Sequence, residues 1–441
     1  MSRSRLNLLF AGLPCASALI ASTASAQPVG QFLLDRYFPE GTPGYYVEPG
    51  VTVQSRMRPE YDAPGIRAGS FIIRPRAIEG IGYNDNVLGS INDKKSSLVI
   101  NSQASLTANS DWGRNSLGAS ISVEDSRYPS VNSQNTTVWN GSLGGTYDIG
   151  RDQVQLGYTH LSGYVTPTSV DARRYITRPA PYDLDNAHIG YYANFGRFAL
   201  LPSFDYTQLR FSPADLGTGA QVSQSYQNRN VYRGAVQGRY EFAPQRNAVL
   251  EVRTTGTDYV SSTAMQGHNS LGYAVLVGLD YASSAVWRFR GLIGYEIRDF
   301  QSSAFKQRTS PVGEANVIWT PTGLTTVTGR VARTIEDSSD PAVAGYDYTS
   351  TTISIDHEYL RNVILSGYVG YQRADYIGSP ASQTFYSLGV GAAWLIDRNF
   401  RLGLNYSLIN QTGDTGGSVT SPVRGGSYLQ NITLLNLRFQ L

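Results

Sequence analysis

Leu435-Asn436-Leu437-Arg438-Phe439-Gln440-Leu441 alternates apolar and polar side chains without interruption up to the last residue. Successive side chains of a β-strand point to opposite faces, so the apolar residues share one face and the polar residues share the other. A strand at a chain end frays unless a neighbour holds it. A closed barrel supplies that neighbour by pairing the last strand with the first, whereas an open sheet leaves an exposed edge. The stretch therefore predicts a closed barrel, with a soluble β-sandwich as the alternative.

The same ending resembles the C-terminal assembly signal of bacterial outer-membrane β-barrels, an amphipathic strand with an aromatic residue near its carboxyl end. Leu435, Leu437, Phe439 and Leu441 would form this signal. The usual final residue is phenylalanine, whereas here Phe439 lies two places inward. The resemblance implies that the barrel-assembly machinery is a partner of this chain.

Residues 1–26 have the three parts of a secretory signal peptide. Arg3 and Arg5 precede an apolar run over residues 6–20, and Ala24-Ser25-Ala26 supplies the small residues of a cleavage site. Cys15 follows a proline, which does not resemble a lipobox, so cleavage after Ala26 is expected. Cleavage removes the only cysteine and leaves 34 basic and 34 acidic residues. This balance gives no indication of a nucleic-acid partner, and no disulfide is expected.

The composition of the remaining chain favours one large all-β architecture. Glycine (45) and tyrosine (30) are abundant and charged residues make up only 16%. No linker or long helical period divides the chain, and no apolar run after residue 26 approaches the roughly 20 residues that a spanning helix needs. Without such a helix, only a closed barrel satisfies every backbone polar group in a bilayer.

Residues 27–68 differ from the rest because they are dense in proline, glycine and aromatic residues. This composition predicts an irregular N-terminal periplasmic arm. Three alternatives stay open for it: a plug folded into the lumen, a docking segment for a partner, or a disordered stretch.

A family resemblance begins within this arm. Arg58-Pro59-Glu60-Tyr61-Asp62, Gly69-Ser70-Phe71 and Gly82-Tyr83-Asn84-Asp85-Asn86-Val87 together resemble motifs of the β-barrel porins of alphaproteobacterial outer membranes. Asn84 replaces the usual first aspartate of the last motif. The resemblance implies an integral outer-membrane location more firmly than an activity. It also suggests a link to polysaccharide export, because such barrels can accompany export machinery.

The spacing of turns predicts the number of strands. From residue 69 to residue 441, eight short turns interleave with nine longer polar loops. This arrangement predicts a single transmembrane antiparallel β-barrel of about 18 strands (range 16–18), with both chain ends and the short turns on the periplasmic side.

Charged residues on amphipathic strands indicate the lumen face. In residues 286–298, Trp287, Ile293 and Tyr295 alternate with arginine and glutamate. A charge on the lipid face costs about 2 to 4 kcal/mol near the bilayer midplane, so the charged sets should line the lumen and influence selectivity. The predicted lumen residues are Arg233, Arg239, Glu241, Glu251, Arg253, Arg288, Arg290, Glu296, Arg298, Arg330 and Arg401.

Candidate catalytic and metal-binding sets are weak. In Asp356-His357-Glu358, neighbouring strand residues face opposite sides, so the histidine cannot share a face with both acids. The remaining histidines show no metal-ligand spacing. An acidic loop near residues 336–347 lacks the spacing of a calcium loop and is expected to be solvated. No catalytic residue, metal or cofactor is therefore predicted.

The sequence favours a passive channel for small polar solutes through a charged lumen. No outer loop exceeds about 20 residues, so a constriction is expected from lumen side chains or from the arm. Two alternatives remain: an outlet for exopolysaccharide export that works with a periplasmic partner, and a non-conducting structural or adhesion barrel.

Overall fold

The computed structural model describes residues 51–441 except residues 174–175, 218–219, 261–264, 266, 283–285 and 418–424. The predicted signal peptide and residues 27–50 of the predicted arm lie outside the described residues. Within them, no helix is long and apolar enough to span a bilayer.

Long antiparallel strands form one closed barrel of 18 strands, which confirms the predicted fold class. Each strand pairs with the next along the chain, and the first pairs with the last from Arg76↔Gln440 to Asn84↔Ile432. In chain order the strands are β1 Phe71–Asn84, β2 Ser97–Ser110, β3 Ser116–Arg127, β4 Thr136–Ile149, β5 Asp152–Val165, β6 Ala180–Asn194, β7 Phe198–Phe211, β8 Arg229–Ala243, β9 Arg246–Tyr259, β10 Ser270–Tyr281, β11 Trp287–Phe300, β12 Arg308–Thr322, β13 Thr325–Glu336, β14 Tyr346–Leu360, β15 Val363–Tyr376, β16 Ser382–Leu395, β17 Phe400–Asp414 and β18 Gly426–Gln440.

Short elements decorate the barrel. Ile66–Ala68 pairs with the start of β1, and Ala214–Asp215 pairs with Gln221–Val222 in an outer loop. Two 3₁₀ turns lie at Asn132–Gln134 and Ser225–Gln227.

Tight turns connect the strands at one end. Gly150 and Gly196 adopt φ of 67° and 85°, a region that L-residues with a side chain rarely occupy, and so permit these abrupt reversals. The reversal between β12 and β13 is confined to residues 323–324, because β12 continues to Thr322 and β13 begins at Thr325. Residues 283–285, between β10 and β11, lie outside the described residues.

The barrel is apolar outside and polar inside. On β18, Leu435 and Leu437 are each 43% exposed, whereas Asn436 and Arg438 are 5% and 6% exposed. The same alternation places large apolar side chains on the outer surface of strand after strand. An outer apolar band and a polar interior are what a bilayer-spanning barrel requires.

The Gly82–Val87 motif fastens the first strand to the last. Asp85 accepts hydrogen bonds from the Asn431 backbone and side-chain amides, both at 2.7 Å. The Gln430 side chain donates to the Asn86 carbonyl at 2.8 Å. A Cβ on Gly82 would lie 2.1 Å from the Thr433 carbonyl oxygen, so this approach requires glycine. The motif therefore helps to close the barrel.

Candidate functional site: the lumen and its two mouths

The charged residues predicted for the lumen lie on the inner face of the barrel, on the same strand faces as its buried residues. Glu251, Glu296, Arg298 and Arg401 are buried, and Arg330 shares a face with the buried Thr326. By strand, they are Arg233, Arg239 and Glu241 on β8, Glu251 and Arg253 on β9, Arg288, Arg290, Glu296 and Arg298 on β11, Arg330 on β13, and Arg401 on β17.

Some of these arginines are paired inside the lumen. Arg253 donates to Glu251 at 2.8 Å, and Arg298 donates to Glu296 at 3.1 Å. Arg290 lies 3.9 Å from Glu314. Such pairs keep buried charges satisfied, so they contribute mainly to the shape of the wall.

Other lumen arginines have no acidic side chain as a partner among the described residues. Within the part of the chain that the structure describes, Arg233, Arg239, Arg288 and Arg330 form no salt bridge. Arg239 donates instead to the neutral Gln237 at 2.7 Å. We call six of the lumen-facing arginines on β8–β13 the arginine wall, namely Arg233, Arg239, Arg253, Arg288, Arg290 and Arg330.

The charge of the wall across the lumen changes with height. At mid-height on β17, β18, β2 and β3 the inner face carries mostly amides and hydroxyls, including Asn405, Ser407, Gln430, Gln103 and Ser122. Towards the short-turn end the inner faces of β1, β17 and β18 carry further arginines, namely Arg74, Arg76, Arg401 and Arg438. The field across the lumen is therefore asymmetric at mid-height, whereas the short-turn end is basic on both sides.

The outer mouth is narrowed by a loop that crosses it. We call residues 166–173 and 176–179, between β5 and β6, the mouth loop. Its residue Val170 contacts β14–β16, which lie far around the ring. Val170 is 2% exposed and packs in one apolar cluster with Tyr346, Tyr376 and Phe385. The sequence predicted a constriction from lumen side chains or from the arm. At the outer mouth this prediction is wrong, because a short loop with an apolar tip reaches across the lumen.

Polar contacts hold the mouth loop in place around Asp171. Its carboxylate accepts hydrogen bonds from the Ser338 hydroxyl at 2.9 Å and from the Ser339 amide. Its own amide donates to Gln383 at 3.2 Å. Asp171 has φ of 60°, a strained conformation that persists only where surrounding contacts fix it. The sequence signal for this loop was the presence of apolar residues, Val170 and Ile176, within a polar stretch.

The acidic loop is buried, so the prediction of a solvated loop is wrong. Asp337 lies 3.3 Å from Arg229 and 3.2 Å from Arg298, and Asp340 lies 3.0 Å from Arg173 of the mouth loop. These cations compensate the carboxylates that burial would otherwise destabilise. No cluster of three or more His, Cys, Asp or Glu able to hold a metal ion occurs among the described residues.

The inner mouth contains residues 51–64 of the arm. Glu358 accepts hydrogen bonds from Arg58 at 2.7 Å and from Arg56 at 2.8 Å, and Asp62 accepts one from Arg401 at 2.8 Å. Val53 is 2% exposed and packs against lumen-facing Ile364 and Leu395. This part of the arm therefore lies along the lumen wall.

The histidines and Asp356-His357-Glu358 do not converge on one site. Asp356 and Glu358 face the lumen and bind the arm, whereas His357 bonds to Thr325 at 2.9 Å on the other face. His188 lies 2.8 Å from Asp205 inside the barrel, and His160 lies 2.8 Å from Asp185 on its outside.

The mouth loop should respond to pH through Asp171. Burial raises the pKa of Asp171 from 3.8 to about 6, although hydrogen bonds from the Ser339 amide and the Ser338 hydroxyl lower it. The Arg173–Asp340 ion pair lies beside it. Asp171 therefore stays protonated up to a higher pH when the loop is closed than when it is open. This protonation stabilises the closed loop relative to the open loop by up to about 3 kcal/mol. The stabilisation is complete below about pH 4 and is lost as the pH rises through about 6.

We therefore expect channel open probability to rise between about pH 4 and pH 7. Asp171→Asn should remove this dependence and keep the loop closed, while Asp93→Asn on an exposed loop should leave it intact. Single-channel recording over this range checks both variants. A wild-type response retained in Asp171→Asn would contradict the assignment.

Comparisons with known proteins agree with this architecture. Residues 58–441 match the model of the family described as "Putative beta-barrel porin 2". No curated protein sequence matches the chain.

Solved outer-membrane barrels are similar over most of their length. Pseudomonas aeruginosa OccK2 (OpdF) is 11% identical, with 84% of this chain and 98% of that chain covered and a TM-score of 0.44. A BenF-like porin from Pseudomonas fluorescens Pf-5 is 10% identical, with 83% and 98% covered and a TM-score of 0.43. The FrpB iron transporter from Neisseria meningitidis is 7% identical, with 84% and 82% covered and a TM-score of 0.42. Sequence identities and TM-scores this low do not identify the transported solute. The family match, spanning almost the whole described chain, makes this protein a member of that β-barrel porin family, an integral outer-membrane channel of porin type.

Proposed function

We propose that the channel passes small polar solutes by passive diffusion and prefers anions. The arginine wall carries this proposal, because several of its guanidinium groups have no carboxylate partner among the described residues. Membership of a porin family also favours a channel over an enzyme. A barrel of this strand number is wide enough for an aqueous path.

The arginine wall would select by lowering the energy of an anion along the path. Each guanidinium attracts a carboxylate or phosphate group, while the amides and hydroxyls at mid-height on the opposite wall offer hydrogen bonds to hydroxyl groups. Single contacts in a water-filled lumen are weak, so a solute can also leave. The predicted acids Glu241, Glu251 and Glu296 would tune this preference by partly compensating the arginines.

Reversal potential under a salt gradient tests the selectivity. Replacing Arg233, Arg288 and Arg330 with glutamine should reduce the anion-to-cation permeability ratio several-fold, because the lumen loses charge that no carboxylate balances. The matched control replaces Arg127, Lys306 and Arg373 with glutamine. These residues lie outside the lumen at the outer rim, so the control should leave the permeability ratio unchanged. Equal ratios in the wild type and the lumen variant would refute anion preference.

The arm supports a second candidate, a regulated outlet for exopolysaccharide. Its ion pairs with Glu358 and Arg401 hold residues 56–62 in the inner mouth, and a periplasmic export partner could compete for them. Recording from a chain that begins at residue 66 separates the candidates: conduction only after truncation favours the outlet, and conduction from both forms favours an open porin. In either case the terminal-strand residues Leu435, Leu437, Phe439 and Leu441 would engage the assembly machinery.

A further inference from the structure

Exposed arginines surround the periplasmic rim of the barrel. Most short turns carry one at or directly beside the reversal, and all of these side chains are exposed. We call this set the rim arginines: Arg114, Arg151, Arg197, Arg246, Arg361 and Arg398. Among the described residues, Arg114, Arg151, Arg197 and Arg361 form no salt bridge.

The carboxylates of the same rim are engaged by the barrel itself. Asp111 pairs with Arg67 at 2.5 Å. Asp152 accepts hydrogen bonds from Tyr191 at 2.6 Å and from the Asn194 amide at 2.9 Å. Asp397 accepts one from the Asn399 amide at 2.7 Å. These carboxylates keep their negative charge, but among the described residues none of them forms a salt bridge with Arg114, Arg151, Arg197 or Arg361, so these guanidinium groups can meet an external anion.

The outer rim has the opposite arrangement, because many of its basic residues have an acidic partner. Lys95 lies 3.1 Å from Asp93, Arg178 lies 2.7 Å from Asp215, and Arg373 lies 2.7 Å from Asp375. Arg127 pairs with Asp125 in the same way. Among the described residues, salt bridges therefore compensate more of the basic charge at the outer rim, where Lys94 and Lys306 form none, than at the periplasmic rim.

The rim arginines lie next to the aromatic residues that mark the membrane boundary. Arg197 precedes Phe198, which is 58% exposed, and Arg361 follows the exposed pair Tyr359 and Leu360. The Arg246 guanidinium lies 5.1 Å from the centre of the Tyr281 ring. Exposed aromatic residues at strand ends sit at headgroup depth, so the guanidinium groups reach the level of lipid phosphates.

We propose that the rim arginines bind anionic phospholipid headgroups of the periplasmic leaflet. Guanidinium groups form paired, charge-assisted hydrogen bonds with phosphate oxygens, and a net negative headgroup adds attraction. The rim arginines are spread around the circumference, on turns from Arg114 near β3 to Arg398 before β17. Lipids surround a barrel on all sides, whereas a protein partner with acidic residues would need a patch on one side.

The test compares lipid retention by the folded full chain in mixed micelles. Native mass spectrometry counts bound dioleoylphosphatidylglycerol and dioleoylphosphatidylcholine for the wild type and for a variant with Arg114, Arg151, Arg197 and Arg361 all replaced by glutamine. A matched variant replaces four basic residues of the outer rim with glutamine, namely Lys95, Arg127, Arg178 and Arg373. A third replaces the four periplasmic arginines with lysine, and heat-modifiable migration verifies that each barrel is folded.

The wild type should retain phosphatidylglycerol in preference to phosphatidylcholine. The periplasmic glutamine variant should lose about fivefold in phosphatidylglycerol affinity per contact, which is the factor for about 1 kcal/mol per basic residue at an anionic surface. The outer-rim and lysine variants should keep the preference. Unchanged retention by a folded periplasmic glutamine variant would overturn the proposal, and so would equal loss in the outer-rim variant. Binding of an acidic peptide such as polyglutamate in place of phosphatidylglycerol would overturn it in favour of a protein partner.

Discussion

Replacing residues 167–178 of the mouth loop with a short Gly-Ser turn is expected to raise single-channel conductance several-fold. Strands β5 and β6 are neighbours, so a short connection can join them without altering the barrel. The replaced segment includes Val170, Asp171 and Arg173, which contact β14–β16 and the adjoining loop. Removing it takes away the segment that crosses the outer mouth.

A matched pair of point variants isolates docking of the mouth loop from its length. Val170→Asp puts an unpaired charge into an apolar cluster, which costs several kcal/mol and should release the loop. Val260→Asp places the same charge at a residue that is 52% exposed and should have no effect on conductance. Wild-type conductance in both the shortened chain and Val170→Asp would show that the loop does not limit flow.

Glu358→Ala is expected to release residues 51–64 from the inner mouth. The side chains of Arg58 and Glu358 are only 9% and 10% exposed, and removing one partner of a buried ion pair costs about 3 to 5 kcal/mol. The substitution also deprives Arg56 of its carboxylate partner. In limited proteolysis of the folded barrel, trypsin should cleave after Arg56 about a hundredfold faster than in wild type, because proteolysis tracks the population of the released form.

Glu60→Ala is the control for arm release. Glu60 is an exposed carboxylate of the same segment, so its loss should leave the cleavage rate unchanged. If Glu358→Ala and Glu60→Ala are cleaved equally slowly, these ion pairs do not hold the arm in place.

Strand number, closure and side-chain orientation could be predicted because they depend on local rules. Alternation on β11 and β18 fixes which side chains face lipid, since a charge on that face costs too much. Turn residues such as Gly150 mark the reversals, and the reversals count the strands. The fold class and the outer-membrane location followed from these features together with the motif around Gly82.

Contacts across the lumen could not be predicted in the same way. Asp171 meets Gln383 across 212 positions and Arg58 meets Glu358 across 300, and neither contact leaves a periodic trace in the chain. Such partners are determined only when the barrel closes. The acidic loop was misjudged for the same reason, because Arg229 and Arg298, which satisfy Asp337, lie on β8 and β11.

Single-channel recording of the full chain in a planar bilayer at about pH 8, under a potassium chloride gradient, tests the central claim most directly. Discrete, steady conductance steps with a reversal potential on the anion side are expected, because water fills a lumen with an arginine wall. Silence from the folded full chain, and also from the chain with the shortened mouth loop, would contradict a conducting barrel and leave a structural one.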